Sequence, residues 1–187
     1  MRIVAGEWRG RTLAAPPGRD TRPTADRVRQ ALFDMLLHAP WAGRDSVAGA
    51  RVLDAFAGTG ALGLEALSRG AAHATFVERD RAALAVLRTN VAACHAEARS
   101  TVLACDVLTV PLGQLHSLIF LDPPYGQNLI PRALPRLHEA GWIAPGALIV
   151  AETARDEPPP CVAPLAERAH GAARITVWRQ PRTTAHT

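Results

Sequence analysis

Asp54 is followed by Ala55-Phe56-Ala57-Gly58-Thr59-Gly60-Ala61-Leu62-Gly63, an acidic residue and then glycines spaced G-x-G-x-x-G. Glycine lets the backbone take positive φ and approach a ligand closely, so such a turn between a strand and a helix suits a nucleotide-like molecule. Taken alone, the spacing equally suits a tight strand-to-helix turn with no ligand. A second carboxylate, Glu78, stands 24 positions on, where it can accept both hydroxyls of a ribose. A third, Asp106, is placed to reach an adenine amino group. An acidic crevice repels pyrophosphate and attracts a sulfonium cation, which ranks S-adenosylmethionine above a nicotinamide dinucleotide. The candidate cofactor-binding set is Asp54, Phe56, Gly58, Gly60, Glu78 and Asp106.

The second reactive run is Asp122-Pro123-Pro124-Tyr125, directly after the apolar stretch Leu118 to Leu121. Two prolines fix φ and remove amide donors, leaving carbonyls and the Asp122 carboxylate to face a substrate. An acceptor-only pocket with an aromatic wall fits the exocyclic amino group of a base. Asp122 and the Pro123 carbonyl would take its two hydrogens, and Tyr125 would stack on the ring. A Pro-rich turn carrying a core tyrosine is the plainer alternative, and it loses weight beside the glycine loop. Asp122, Pro123, Pro124 and Tyr125 form the candidate catalytic set. The three cysteines, Cys94, Cys105 and Cys161, include no close pair, and the seven histidines show no ligand spacing, so inert thiols, surface or partnerless histidines and no metal are expected.

Charge supplies a third signal. All 21 basic residues are arginines, which excludes lysine Schiff-base and P-loop chemistry. Seven of them, with three acids, fall in residues 1–30, so the whole formal charge of +4 resides there and the remainder is neutral. A basic leading segment on a neutral body points to a polyanion, with Arg2, Arg9, Arg11, Arg22, Arg27 and Arg29 as its candidate contacts and a merely solvated charged face as the plainer alternative. Trp8 lies among them, with core packing at least as good a reading as base stacking.

These residues need a scaffold. At 187 residues, 48% hydrophobic and 20% charged, the chain has the composition of one globular domain with a small appendage. Its apolar stretches are broken before the ~20 residues of a membrane helix, and its start has no apolar signal region. Ile3 to Leu13 reads as a short hairpin ahead of the breaker Pro16-Pro17-Gly18. Thr24 suits a helix N-cap, with Val28, Leu32, Met35 and Leu36 on one face and Arg27 and Arg29 off it. Beyond residue 50, short apolar runs at Val52 to Phe56, Ala74 to Val77, Thr101 to Cys105, Leu118 to Leu121 and Leu148 to Ala151 alternate with helical stretches. Those stretches are Ala61 to Arg69, Ala82 to Ala93 capped by Asp80, and a weaker Leu129 to Ala140 interrupted by prolines. The alternation predicts a doubly wound α/β fold with a parallel sheet covered on both faces. Arg174 to Trp178 reads as a last strand near an edge, and Pro158 to Pro160 as a surface loop.

With these motifs in hand, the chain resembles the RsmD family of bacterial ribosomal RNA methyltransferases. The resemblance rests on Arg2-Ile3-Val4-Ala5-Gly6-Glu7-Trp8-Arg9-Gly10-Arg11, Arg22-Pro23-Thr24-Ala25-Asp26-Arg27-Val28-Arg29, Leu53 to Glu65, and Asp122 to Tyr125. The glycine loop and the Asp-Pro-Pro-Tyr turn are shared by many amino-group methyltransferases, whereas the two N-terminal motifs are more selective. Gln30 departs from the family's usual Glu, and Arg155 to Ala172 matches poorly. The resemblance implies a seven-stranded Rossmann-like methyltransferase sheet, S-adenosylmethionine as cofactor, and the 2-amino group of a guanine in small-subunit ribosomal RNA as acceptor. It also implies an RNA-contacting extension over residues 1–40, a methyltransferase domain over 41–187, and a cytoplasmic monomer. The residues leave open whether the RNA is naked or in an assembled particle. Two other readings are an adenine N6-methyltransferase on DNA or RNA and a ribosome-assembly factor without catalysis.

Overall fold

The short apolar runs pair side by side. The computed structural model describes residues 1–15, 23–160 and 163–182. The strands are β1 (Arg51–Asp54), β2 (His73–Glu78), β3 (Ser100–Ala104), β4 (His116–Leu121), β5 (Ile143–Ala154), β6 (Ala166–His170) and β7 (Ala173–Arg179). They form a seven-stranded sheet ordered β3-β2-β1-β4-β5-β7-β6. Strands β1 to β5 are parallel, and β7 runs antiparallel to both β5 and β6. The helices are α1 (Pro23–His38), α2 (Ala61–Ser68), α3 (Arg81–Ala93) and α4 (Ile130–Glu139). The order reverses between β1 and β4, which opens a crevice at the carboxyl ends of those strands. None of the helices among the described residues is long and apolar enough to cross a membrane.

Successive strand residues point to opposite faces, and each face has its own cluster. Val52, Phe76, Phe120 and Val150 meet Leu64, Leu67, Leu84 and Leu87 of α2 and α3, with Phe33 and Leu36 of α1. Leu53, Val77, Leu121 and Ile149 meet Ile130, Ala133 and Leu137 of α4. Helix α3 starts where Asp80 accepts from the Ala83 amide at 2.8 Å, and it buries Leu84, Leu87 and Val91. Helix α4 tolerates Pro131 in its first turn, where no amide partner is needed, and keeps Pro135 on its exposed side.

Two expectations hold and two need correction. Ile3 to Leu13 forms a minimal hairpin, with one antiparallel bridge, Arg2 to Thr12, flanked by backbone bonds from Ile3 to Arg11 and from Leu13 to Met1. Gly6 and Gly10 take φ of +84° in it, which curls the backbone away from strand geometry. Ile3, Trp8 and Leu13 of this loop belong to the same cluster as the inner face of α1. Strand β7 is the last strand and lies near the edge as expected, one position in, with β6 outside it. The sequence Ala166-Glu167-Arg168-Ala169-His170 carries no strand pattern, because an exposed edge strand needs no apolar run. Not every histidine is a surface or partnerless group. His116 is buried, stacked on Trp142 at 5.3 Å, with Nε2 3.0 Å from Thr75 Oγ1. Burial pushes its pKa down to about 4. His73 Nε2 lies 2.9 Å from Thr101 Oγ1. Finally, α1 begins at Pro23, so Thr24 lies inside it rather than capping it. Arg22, Cys161 and the Pro16-Pro17-Gly18 breaker fall outside the described residues.

Candidate active site

Strands β1 and β2 deliver Asp54 and Glu78 to the same crevice, and the loop between β1 and α2 is stitched to both neighbours. Ala55 donates to the Phe120 carbonyl and Ala57 to that of Val77, each at 3.0 Å. Gly60 begins α2 with φ +79°, and a Cβ there would come within 2.4 Å of Leu87 Cδ1. A Cβ on Gly63 would sit 2.3 Å from the Phe76 ring, so this helix can lie on the sheet only without a side chain there. Gly58, at φ +53°, faces open space: a Cβ built on it meets nothing within 4 Å.

Asp54 is fully enclosed. Its Oδ2 accepts from the Gly63 amide at 3.0 Å, and its Oδ1 is buried with no hydrogen-bond partner among the described residues. Burial raises its pKa to about 7, the Gly63 amide pulls the other way, and Glu78 adds a smaller upward push. Glu78 is half-buried and held by three amides, Gly58 on Oε2 and Arg79 and Asp80 on Oε1, each at 2.8 Å. Those amides fix its direction and leave the acceptor capacity that a carboxylate retains beyond three bonds. Asp106, two residues past β3, is more engaged than expected. Its Oδ1 accepts from Leu108 at 2.9 Å and its Oδ2 pairs with Arg79 at 2.7 Å. The Leu108 amide first, and Arg79 after it, hold its carboxyl below the ordinary range against an opposing push from burial. Phe56 is half-buried against the α4-side cluster.

Beyond β4, Asp122 is exposed, Pro123 buried, and Pro124 and Tyr125 exposed. The Tyr125 hydroxyl donates to Glu152 Oε1. Glu157 accepts from the Gly126 amide with Oε1 and from Ala154 at 3.2 Å with Oε2, which ties the turn to the end of β5. Burial raises the Tyr125 pKa, and the carboxylates of Glu152, Asp122 and Glu157 push it further. Neither Glu152 nor Glu157 is among the residues that sequence patterns single out. Glu152 carries a usable signal, because it follows the apolar run Leu148 to Ala151 just as Asp122 follows Leu118 to Leu121. The site as folded offers a glycine cradle beside two carboxylates and an acceptor-lined turn with an exposed ring.

The basic segment is less uniform than its sequence. Arg2, Arg9 and Arg27 are exposed, and Arg2 Nε lies 3.6 Å from Asp26. Arg11 is half-buried and donates to the Ala93 carbonyl at the end of α3. Arg29 corrects the expectation outright. It is 5% exposed, with its guanidinium 2.8 Å from Asp26 and 3.4 Å from Glu65 and a further bond to the Arg2 carbonyl. No face of it remains for a phosphate, so its role is to hold α1 and the N-terminal loop against α2. Trp8 is buried in the core, with the Arg99 guanidinium 4.8 Å from its ring centroid. The loop also docks through Glu7, whose amide donates to Ser68 at 2.7 Å, and Trp8, whose amide donates to Ser68 Oγ at 2.9 Å. Ser68 and Ala93 end their helices, so this docking lies at the amino ends of the strands, opposite the crevice. Asn90 of α3 ties the two regions. Its Oδ1 accepts from Ala14 at 2.7 Å, and its Nδ2 donates to the carbonyls of Ala14 at 3.1 Å and Thr59 at 2.9 Å.

Comparison with known proteins gives three kinds of match. The family model described as conserved hypothetical protein 95 matches residues 1–179. Ribosomal RNA small subunit methyltransferase D of Escherichia coli K12 is 43% identical over 154 residues, covering 82% of this chain and 74% of that protein. Among solved structures, yhhF from Escherichia coli superposes with a TM-score of 0.84 at 36% identity, covering 98% of this chain and 99% of the other. An RNA methyltransferase from Salinibacter ruber in complex with S-adenosyl-L-homocysteine shares the fold at a TM-score of 0.64 and 15% identity, covering 86% and 95%.

Proposed function

Because the chain belongs to the RsmD family, the one described as conserved hypothetical protein 95, we propose that it transfers a methyl group from S-adenosylmethionine to the 2-amino group of a guanine in small-subunit ribosomal RNA. The observation that carries this reading is the meeting of two motifs at one switch point. The glycine cradle with Asp54 and Glu78 lies on one side of it, and the Asp122 to Tyr125 turn on the other.

The residues fit a sulfonium cofactor. Asp54 brings a buried oxygen with no partner among the described residues, Gly58 borders open space, and Glu78 is a fixed acceptor suited to a ribose. Asp54, Phe56, Gly58, Gly60 and Glu78 would hold the cofactor, with Asp106 bordering the adenine end. When bound, S-adenosylmethionine supplies an electrophilic methyl whose bond to sulfur breaks as the bond to nitrogen forms, the electron pair staying on sulfur. The Asp122 carboxylate and the Pro123 carbonyl accept from the amino group and aim its lone pair. Tyr125 provides a stacking face for a base taken out of its helix, which offsets part of the few kcal/mol that unstacking costs. The methylated nitrogen then releases one proton to Asp122 or to water. Arg2, Arg9, Arg11 and Arg27, with Arg22, are the arginines proposed to steer the RNA, and the enzyme is taken to act as a cytoplasmic monomer.

The test is a comparison of modified nucleosides in ribosomal RNA from cells lacking this protein, complemented with wild type or Asp122→Ala. Wild type should restore one N2-methylguanine, whose position is then mapped. The variant should transfer at least ~10²-fold more slowly in vitro while binding cofactor normally. Restoration of N6-methyladenine instead would refute the guanine assignment.

A further inference from the structure

Resting on the reading above, we propose that Glu152 accepts the N1 hydrogen of the target guanine and so makes the pocket selective for guanine over adenine. The position of the residue comes from the sheet. In the parallel pair of β4 and β5, Leu121 is in register with Ala151, so Asp122 and Glu152 are the next residue on each chain. Val150 faces the α1 to α3 side, and Glu152, two positions further along β5, belongs to that same side. Asp54 and Glu78 also lie there by the same alternation, two positions beyond Val52 and Phe76.

The orientation of Glu152 comes from Tyr125. The phenol hydroxyl donates to Glu152 Oε1, anchoring the carboxylate at the rim of the ring proposed to carry the base. No arginine or histidine among the described residues forms an ion pair with it. A half-buried carboxylate with one oxygen fixed by a phenol keeps its other oxygen as a pure acceptor. The edge of guanine presents three adjacent hydrogens, one on N1 and two on the amino group. Adenine presents two amino hydrogens beside a bare N1. Asp122 and Pro123 account for two hydrogens on either base. A further carboxylate therefore gains a bond with guanine and meets a lone pair with adenine. A site built to bond a substrate N–H discriminates strongly against an analogue lacking it, because its own buried acceptor is left unpaired.

The experiment is a competition at the mapped position, using small-subunit RNA that carries either guanine or 2-aminopurine there. 2-Aminopurine keeps the 2-amino group and has a bare N1. Wild type should prefer guanine by at least about 100-fold. Glu152→Gln, whose amide can donate to a bare N1, should narrow the ratio to within about tenfold. The ratio does not depend on how much of a preparation is active, so general damage cannot mimic this result. Should the glutamine variant fail to fold, Glu152→Asp, which withdraws the carboxylate by one methylene, should cut the preference at least about tenfold. An unchanged ratio in either folded variant, or a wild type that uses both bases alike, would overturn the role of Glu152 while leaving guanine methylation standing. A wild type that leaves guanine N2 unmethylated would overturn both this role and the function beneath it.

Discussion

Asp54 carries its chemistry in an unusual protonation state for an aspartate. With a pKa of about 7, against 3.8 for an ordinary aspartate, it is half-ionised near neutrality in the cofactor-free protein. Only the ionised form attracts a sulfonium, so affinity for S-adenosylmethionine should climb between pH 6 and 8 and flatten above that window. Calorimetry across this range would show the climb, and Asp54→Asn should abolish it. The same shift acts on stability with the opposite slope. The native state binds this proton more tightly than the unfolded chain does, so the contribution is complete below about pH 4 and lost as pH rises through about 7. Urea midpoints of the cofactor-free protein should therefore fall more over that span in wild type than in Asp54→Asn. At this scale Asp54, Glu78 and Asp122 are legible in the sequence because each ends an apolar run, whereas Glu152 ends one too and is not singled out. The sequence misleads at Arg29, which a helical pattern assigns to the polar face although its guanidinium enters the core to meet Glu65. The pairing of two charges from separate elements leaves no periodic trace in the sequence.

Helix α2 is where the elements are joined. Glu65, fully buried, accepts from the Val4 amide at 2.8 Å, the Ala5 amide at 3.0 Å, Arg69 at 2.8 Å and Arg29 at 3.4 Å. Removing one partner from a buried charge network strands the others, which typically costs 3 to 5 kcal/mol, approximately. Glu65→Ala should lower unfolding stability by about that amount in urea titrations, because two arginines and two amides lose their acceptor together. A loss below about 1 kcal/mol would mean that water replaces the carboxylate freely. Gln30, the departure from the family pattern, takes part at the margin by accepting from Arg69 at 3.2 Å. Elements with apolar runs, β1, β2 and β4, could be read from sequence to within two residues at either end. The apolar run of strand β5 covers four residues, Leu148 to Ala151, and the strand spans twelve, because Ala144-Pro145-Gly146 breaks the apolar pattern without breaking the strand.

Across the whole molecule, the crevice and the docked arginine loop lie at opposite ends of the strands. Strands β2 and β3 run six and five residues, so roughly 17 to 20 Å separates the two ends at about 3.3 Å per residue. An RNA that fills the pocket and also meets Arg9 must therefore extend along the α2 and α3 side rather than sit in the crevice alone. Replacing Arg9 and Arg27 with Gln should weaken RNA binding across sequences and lower the log–log salt slope by about 0.7 to 0.9 for each phosphate left without its arginine. Cofactor affinity should be unaltered. An unchanged slope would move the RNA interface onto the neutral body of the chain. The docking of the N-terminal loop also bears on how the protein is made. Val4 precedes its acceptor Glu65 by 61 positions, an interval of roughly 3 to 12 s at about 5 to 20 residues synthesised per second. Ala14 likewise waits for Asn90, 76 positions later. These residues are thus placed only after the glycine loop, α2 and most of α3 have been made, so the segment assigned to RNA is seated only once β1 and β2, which carry Asp54 and Glu78, exist.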